Sequence, residues 1–175
     1  MFSQKGKRVI DLDSEKNNRY YLSNDGYGGH GPACGRQAVL NASSGSAGPL
    51  PLVTTLLSSP IHVVSTSIDT AGMGNTNNLL TFTGIISLPL GISVTLNFQI
   101  QRVYNNSAPR NIGSTYTFSA TVNVLESESF SFQFMDARVP DGSYTYYVNL
   151  STNSVVDITP GATVNAVLSV LAVAV

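Results

Sequence analysis

The sequence predicts an all-β protein, an eight-stranded antiparallel jelly-roll sandwich that carries an extended N-terminal arm. Beyond Pro51, apolar and polar residues alternate with the period of two that half-buried strands show, and no 3.6-residue pattern of a helix appears. Segments rich in Gly, Pro and Asn separate the alternating runs, as turns require. Strands at this spacing without helices between them favour a sandwich, and eight of them favour a jelly roll.

The clearest strand is GISVTLNFQIQ, in which five apolar residues alternate with polar ones. The other predicted strands are Ile61–Ile68, Leu79–Leu88, Tyr116–Val124, Ser129–Asp136, Ser143–Leu150, Ser154–Thr159 and Thr163–Ala174. Turns are predicted at 72–78, 89–91, 105–113, 140–142 and 160–161. Aromatic side chains give the predicted core its bulk, namely Phe82, Phe98, Tyr116, Phe118, Phe130, Phe132, Phe134 and Tyr144.

The chain divides by composition into two parts. More than half of its charged residues lie in the first 36 positions, and the stretch NASSGSAGPLP (Asn41–Pro51) has the composition of a flexible tether. We therefore expect a connector arm and linker over residues 1–48 and a jelly-roll domain over residues 49–175.

The last strand is apolar on both faces. Val164, Ala166, Leu168, Val170 and Ala172 share one face, which belongs to the core. The opposite face carries Val167, Leu171 and Val173, and a single sandwich does not cover it. These three residues are predicted to contact a neighbouring subunit or an arm.

Two segments of the arm, KRVIDLD and RYYLS, are long enough and apolar enough to form short strands. Extended peptides bind open sheet edges through main-chain hydrogen bonds, and head-to-tail contacts that do not close generate filaments. Six residues are predicted to mediate self-assembly: Val9, Ile10, Leu12, Tyr20, Tyr21 and Leu22. Four glycines are predicted to form a hinge: Gly26, Gly28, Gly29 and Gly31. The alternative is a disordered tail, or a tail that binds a partner.

No cofactor or metal site is predicted. The glycines of GYGGHG match G-x-G-x-x-G, but no helix and no acid at the required distance follow them. His30, Cys34 and His62 are too few and too dispersed for a zinc site within one chain. Cys34 is the only cysteine, so it is either an inert thiol or an interchain crosslink.

Catalysis is not expected either. Two acidic pairs, Glu126 with Glu128 and Asp136 with Asp141, are interpreted as solvated charges at strand ends and turns rather than as catalytic or calcium-binding carboxylates. Tyr144, Tyr146 and Tyr147 offer an alternative patch for carbohydrate stacking, although alternation places two of them in the core.

Charge and hydropathy limit the partners and the location. A net charge of −1 does not favour nucleic acid, and the apolar run at 162–175 is too short for a membrane span. Residues 1–18 lack the apolar core of a classical signal peptide. A surface rich in Ser, Thr and Asn with few charges favours self-association.

Four runs carry a resemblance to a known group of proteins: FTGIISLPLGISVTLNFQIQRV, ESFSFQFMD, GSYTYYVNL and TPGATVNAVLSVLAVAV. With the start MFS, they resemble the small jelly-roll proteins of the bacterial spore surface, namely exosporium proteins and the pilins of endospore appendages. The resemblance implies an extracellular fibre joined by connector insertion, without catalytic residues. It also implies copies of the same chain as partners, and a spore-surface anchoring protein or tip adhesin as a further partner.

Three functions follow from the sequence. The first is a structural filament subunit that donates its N-terminal arm to a neighbour. The second is a closed trimeric surface or adhesion domain of the exosporium, similar to the tumour-necrosis-factor and C1q heads that the last strand resembles. The third is an enzyme or carbohydrate-binding domain, for which Tyr147 and Asp141 are the candidate residues.

Overall fold

Eight antiparallel strands make up the fold. The computed structural model describes residues 37–50, 60–89, 92–122, 126–152 and 161–175. The strands are β1 (Ala38–Ala47), β2 (Ile61–Asp69), β3 (Thr76–Leu88), β4 (Ile92–Tyr104), β5 (Arg110–Val122), β6 (Glu126–Val139), β7 (Ser143–Ser151) and β8 (Thr163–Ala174). In the part of the chain that is described, no helix is long and apolar enough to cross a membrane.

The strands form two four-stranded sheets with jelly-roll topology. The order in the first sheet is β1-β8-β3-β6, and the order in the second sheet is β2-β7-β4-β5. The pairs β1·β8, β2·β7, β3·β6 and β4·β5 are those of one long hairpin wrapped around itself. The pairs β3·β8 and β4·β7 complete the sheets. The predicted all-β jelly-roll sandwich is confirmed.

The core lies between the sheets and is built from the inward-facing residues of every strand. Phe82 and Phe98 are fully buried, and the Phe132 ring stacks on Phe82 at a centroid distance of 4.7 Å and on Tyr116 at 3.9 Å. Phe118, Phe132 and Tyr144 are also buried as predicted, and the other predicted aromatic residues are partly buried against the same core. Alternation therefore identified the core face correctly.

One prediction about the N-terminal side of the domain is wrong. The stretch Asn41–Ala47, interpreted as part of a flexible tether, belongs to β1 and pairs with β8 through its whole length. Gly45 is needed there for close packing, because an added Cβ would meet the Val63 carbonyl oxygen and lie 2.9 Å from Val64 Cα on β2. The sandwich thus begins by Ala38 rather than at residue 49.

The remaining predicted strands lie close to their observed places. β5 begins at Arg110 rather than at Tyr116, because the turn predicted over 105–113 is complete at Asn105 and Asn106. These two residues have positive φ angles, and the amide of Ser107 donates to the Tyr104 carbonyl oxygen across the turn. The predicted strand Ser154–Thr159 lies outside the described residues.

Candidate self-assembly surface

The candidate surface is the outer face of the first sheet, which we call the outer apolar face. Strand register places Leu40, Leu171, Leu79 and Met135 side by side, one on each of β1, β8, β3 and β6. Cross-strand neighbours of this kind have Cβ atoms about 5 Å apart, so the four side chains form one continuous row. Leu40 is 40% exposed, Leu171 36% and Met135 49%, and Leu79 is half-buried.

Further apolar side chains extend this row. Val173 lies beside it on β8, while Val167 and Ile85 are exposed further along the same face. The inward and outward residues of β8 are distributed as predicted. That Val167, Leu171 and Val173 contact another subunit remains a prediction, because the structure contains one chain.

The outer apolar face has no charged side chain between its strand ends. The charged residues of the four strands all belong to β6. Glu126, Glu128 and Asp136 occupy positions that alternate toward the core side, and Arg138 lies at the end of the strand. Apart from the apolar residues named above, the outward-facing residues of these strands are Ser, Thr, Asn, Gln and Ala. Exposed apolar residues without neighbouring charges are typical of a surface that another polypeptide covers.

A shallow depression of about 540 Å³ crosses the middle of this face. Its floor is the backbone of the cross-strand row Gly45, Ala166 and Gly84, three residues at core-facing positions that place no side chain in the depression. Val167 and Ile85 lie on its two sides. The depression therefore offers an extended segment a place to lie among exposed apolar side chains.

The chain enters the described structure at one end of the apolar row. The amide of Ala174 donates to the Gln37 carbonyl oxygen, and Leu40 of the row follows three residues later. The predicted assembly residues from Val9 to Leu22, the hinge glycines from Gly26 to Gly31, and Cys34 lie outside the described residues. They would precede this end of the face in the chain.

Some residues of the surface were missed in the sequence. Leu79 and Met135 have the outward parity of strands that were predicted, so alternation contained the signal that places them on the outer face. Leu40 was hidden because its segment was interpreted as preceding the domain. Only strand order shows that these residues and Leu171 share one row.

A buried polar cluster joins the two sheets across the core. Arg102 Nη1 donates to both carboxylate oxygens of Asp136, at 3.0 and 2.8 Å. The Tyr146 hydroxyl donates to Asp136 Oδ2 at 3.0 Å, and Asn78 Nδ2 donates to that hydroxyl at 2.8 Å. Asp136 is only 8% exposed, so its interpretation as a solvated charge beside a turn is wrong.

Burial controls the ionisation of the phenols in the core. It raises the pKa of Tyr146 well above its ordinary value, and the nearby Asp136 carboxylate raises it further, against the opposing effect of the Asn78 hydrogen bond. Burial also raises the pKa of Tyr144 and of Tyr116. Tyr146 therefore stays protonated and donates to Asp136, and the cluster links the two sheets through hydrogen bonds and an ion pair.

The other candidate residues are not brought together. Tyr144 and Tyr146 are buried, while Tyr147 faces outward, so the three tyrosines do not form one patch. Asp141 lies in the turn before β7, where Oδ2 accepts from the Gly72 amide at 3.2 Å. Within the described ranges, no group of three His, Cys, Asp or Glu residues could hold a metal ion.

Comparisons with known proteins give a family and a fold. The family described as "Domain of unknown function (DUF4489)" matches residues 36–174. No curated protein matches the sequence. The structure is similar to one titled as that of infectious bursal disease virus, Gx strain, with a TM-score of 0.50 and 9% identity over 88% of this chain and 38% of that one.

Two further likenesses are weaker. One is to a T13 particle of infectious bursal disease virus, with a TM-score of 0.39 and 12% identity over 89% of this chain and 40% of that one. The other is to a structure titled "CBM4 structure and function", with a TM-score of 0.22 and 13% identity over 77% of this chain and 78% of that one. These two TM-scores are too low to support an inference, and the first likeness concerns the fold alone.

Proposed function

We propose that this chain, which belongs to the DUF4489 family, is a structural subunit of an extracellular filament on a spore or cell surface. In this proposal, residues 1–36 of one copy bind to the next copy and join subunits head to tail. The single observation that carries the proposal is the outer apolar face, where an uncharged row of exposed apolar residues crosses all four strands of the first sheet.

The physical argument concerns what would cover this face. Leaving Leu40, Leu171 and Met135 in water forgoes the free energy that burial of apolar area provides, about 25 cal/mol for each Å². The segments KRVIDLD and RYYLS supply the apolar residues of the arm, and in extended form they are proposed to lie on the face. The depression over Gly45, Ala166 and Gly84 provides space for such a backbone.

In this proposal the arm that covers the face comes from a neighbouring copy. If two copies do not exchange arms reciprocally, the assembly does not close, and each added subunit presents a new free face and a new free arm. β1 supports the same proposal, because it is an edge strand that contains neither charge nor proline. The fibre would contain copies of one chain, with an anchoring protein or a tip adhesin as a further proposed partner.

The experiment compares three proteins by negative-stain electron microscopy: the full chain, a variant that lacks residues 1–36, and Leu171→Lys. We expect fibres from the full chain only. The truncated variant retains every described strand, and Leu171→Lys places a charge in the middle of the apolar row. The matched control is Ser119→Lys, an exposed position on the outer face of the second sheet, which should still form fibres.

The outcomes separate the alternatives. Discrete three-fold particles from the full chain would favour the closed trimeric surface domain. Fibres from the truncated variant would refute the role of the arm, and fibres of normal length from Leu171→Lys would refute the role of the outer apolar face. A full chain that stays a single soluble copy at every concentration would refute assembly itself.

A further inference from the structure

A second surface, on the opposite side of the sandwich, has a different chemistry. A groove of about 240 Å³ lies on the outer face of the second sheet. We call it the amide groove, and it is lined by Pro60 and by six strand residues: Gln99 and Gln101 on β4, Asn111 and Thr115 on β5, and Asn149 and Ser151 on β7. All six side chains are uncharged hydrogen-bonding groups, in contrast to the apolar row on the first sheet.

Hydrogen bonds between these side chains fix their orientation. Asn149 Nδ2 donates to Gln101 Oε1 at 2.8 Å, and Gln101 Nε2 donates to Asn111 Oδ1 at 2.9 Å. Gln99 Oε1 accepts from the Thr115 hydroxyl at 3.1 Å, and its Nε2 donates to the Ile112 carbonyl oxygen at 2.9 Å. The amides are therefore held in place before any ligand arrives, which reduces the entropy that binding costs.

Two polar atoms at the ends of this amide chain make no hydrogen bond to another described residue. They are an acceptor, Asn149 Oδ1, and a donor, Asn111 Nδ2. Asn149 is half-buried and Asn111 is exposed, so both atoms are available to the hydroxyl groups of a ligand, which donate and accept hydrogen bonds.

An aromatic pair borders the amides. Tyr147 is the cross-strand neighbour of Gln101, and His62 is that of Asn149. The two rings meet edge to face with centroids 5.6 Å apart. Tyr147 is half-buried and His62 is exposed, so ring surface remains available next to the hydrogen-bonding groups. Such a combination suits ligands that have both hydroxyl groups and apolar C–H faces.

The groove contains no charge that would select an ionic ligand. Arg102, the nearest charged residue on β4, points inward and binds Asp136. We propose that the amide groove binds a neutral saccharide, whose adjacent hydroxyls pair with the amides and whose ring stacks on Tyr147. This site is independent of polymerisation, and in a filament it would give every subunit a weak contact with a glycan-coated surface.

The test is saturation-transfer difference NMR with the full chain and three neutral probes: cellohexaose, chitohexaose and mannohexaose. An oligogalacturonate of similar length is the charged control. The method observes the ligand, so it works for single copies and for fibres alike, and its result does not depend on the assembly model. We expect saturation transfer to at least one neutral probe, and stronger transfer to that probe than to the charged control.

Variants locate the site. Asn149→Ala and Tyr147→Leu should each weaken binding by about tenfold, equivalent to ~1.4 kcal/mol. Thr83→Ala, on the outer apolar face, should bind as the parent chain does. Thermal unfolding of each variant confirms that it folds, and two variants keep the test valid if one does not. Three results would each overturn the proposal. They are no saturation transfer to any neutral probe, transfer from Asn149→Ala and Tyr147→Leu that equals transfer from the parent chain, and stronger transfer to the galacturonate than to the neutral probes.

Discussion

Substituting Asp136 by Asn should destabilise the domain strongly, because its side chain is buried between the two sheets. The change keeps the size of the side chain and one acceptor oxygen, but it removes the negative charge. Arg102 then loses its counter-ion, and the new amide group presents a donor toward the donors of Arg102 or Tyr146. The whole buried cluster loses its central acceptor.

The magnitude follows from burial. Removing one partner of a fully buried ion pair costs about 3–5 kcal/mol. Here Asp136 is buried, but the Arg102 side chain is 24% exposed, so water partly solvates the stranded cation. We therefore expect the free energy of unfolding to fall by about 2–3 kcal/mol, which lowers Tm by roughly 10 °C in a domain of this size.

The assay is thermal and urea unfolding at two protein concentrations, so that any stabilisation by association is recognised. Asp141→Asn is the matched control, because Asp141 is exposed and accepts one hydrogen bond from Gly72. It should change stability by less than about 0.5 kcal/mol. In a double-mutant cycle, Asp136→Asn and Arg102→Met should couple by more than about 1 kcal/mol.

Two results would refute this reasoning. Asp136→Asn with the stability of the parent chain would mean that the carboxylate contributes nothing beyond its shape. Additive effects in the cycle would mean that Arg102 and Asp136 do not interact, whatever their distance.

Two other changes probe the fold. Gly45→Ala should destabilise the domain by about 1–3 kcal/mol in urea unfolding, because the added Cβ meets the Val63 carbonyl oxygen. The control is Ala42→Ser at an exposed position of β1, which should leave stability unchanged. Unchanged stability of Gly45→Ala would mean that this segment is a flexible tether after all. Above pH ~10, stability should fall, because tyrosines of raised pKa keep their protons in the folded chain and lose them first in the unfolded chain. Tyr146→Phe should reduce the slope of unfolding free energy against pH by up to ~1.4 kcal/mol per pH unit. An unchanged slope would contradict the raised pKa of Tyr146.

Much of the fold was readable in the sequence because strand alternation is a local property. Each residue of β3, β4 or β8 shows its face through its immediate neighbours, and this identified the core side of Phe82, Phe98 and Leu168. Turn residues such as Asn105 and Asn106 mark their positions by a backbone conformation that few residues adopt.

The errors arose where a distant partner gives a residue its role. The glycine and serines of β1 have the composition of a tether, and only the backbone of β2 beside Gly45 makes small side chains a packing requirement. Asp136 has the sequence context of a solvated acid, and only Arg102 and Tyr146 on the other sheet explain its burial.

The sequence by itself determined which residues face in and which face out along each strand, because that choice depends on spacing within one strand. Only the tertiary structure decided which outward residues are neighbours, because strand order and register set those contacts. The row from Leu40 to Met135 and the amide groove between β4, β5 and β7 are both products of that order. Each joins residues that lie far apart in the chain.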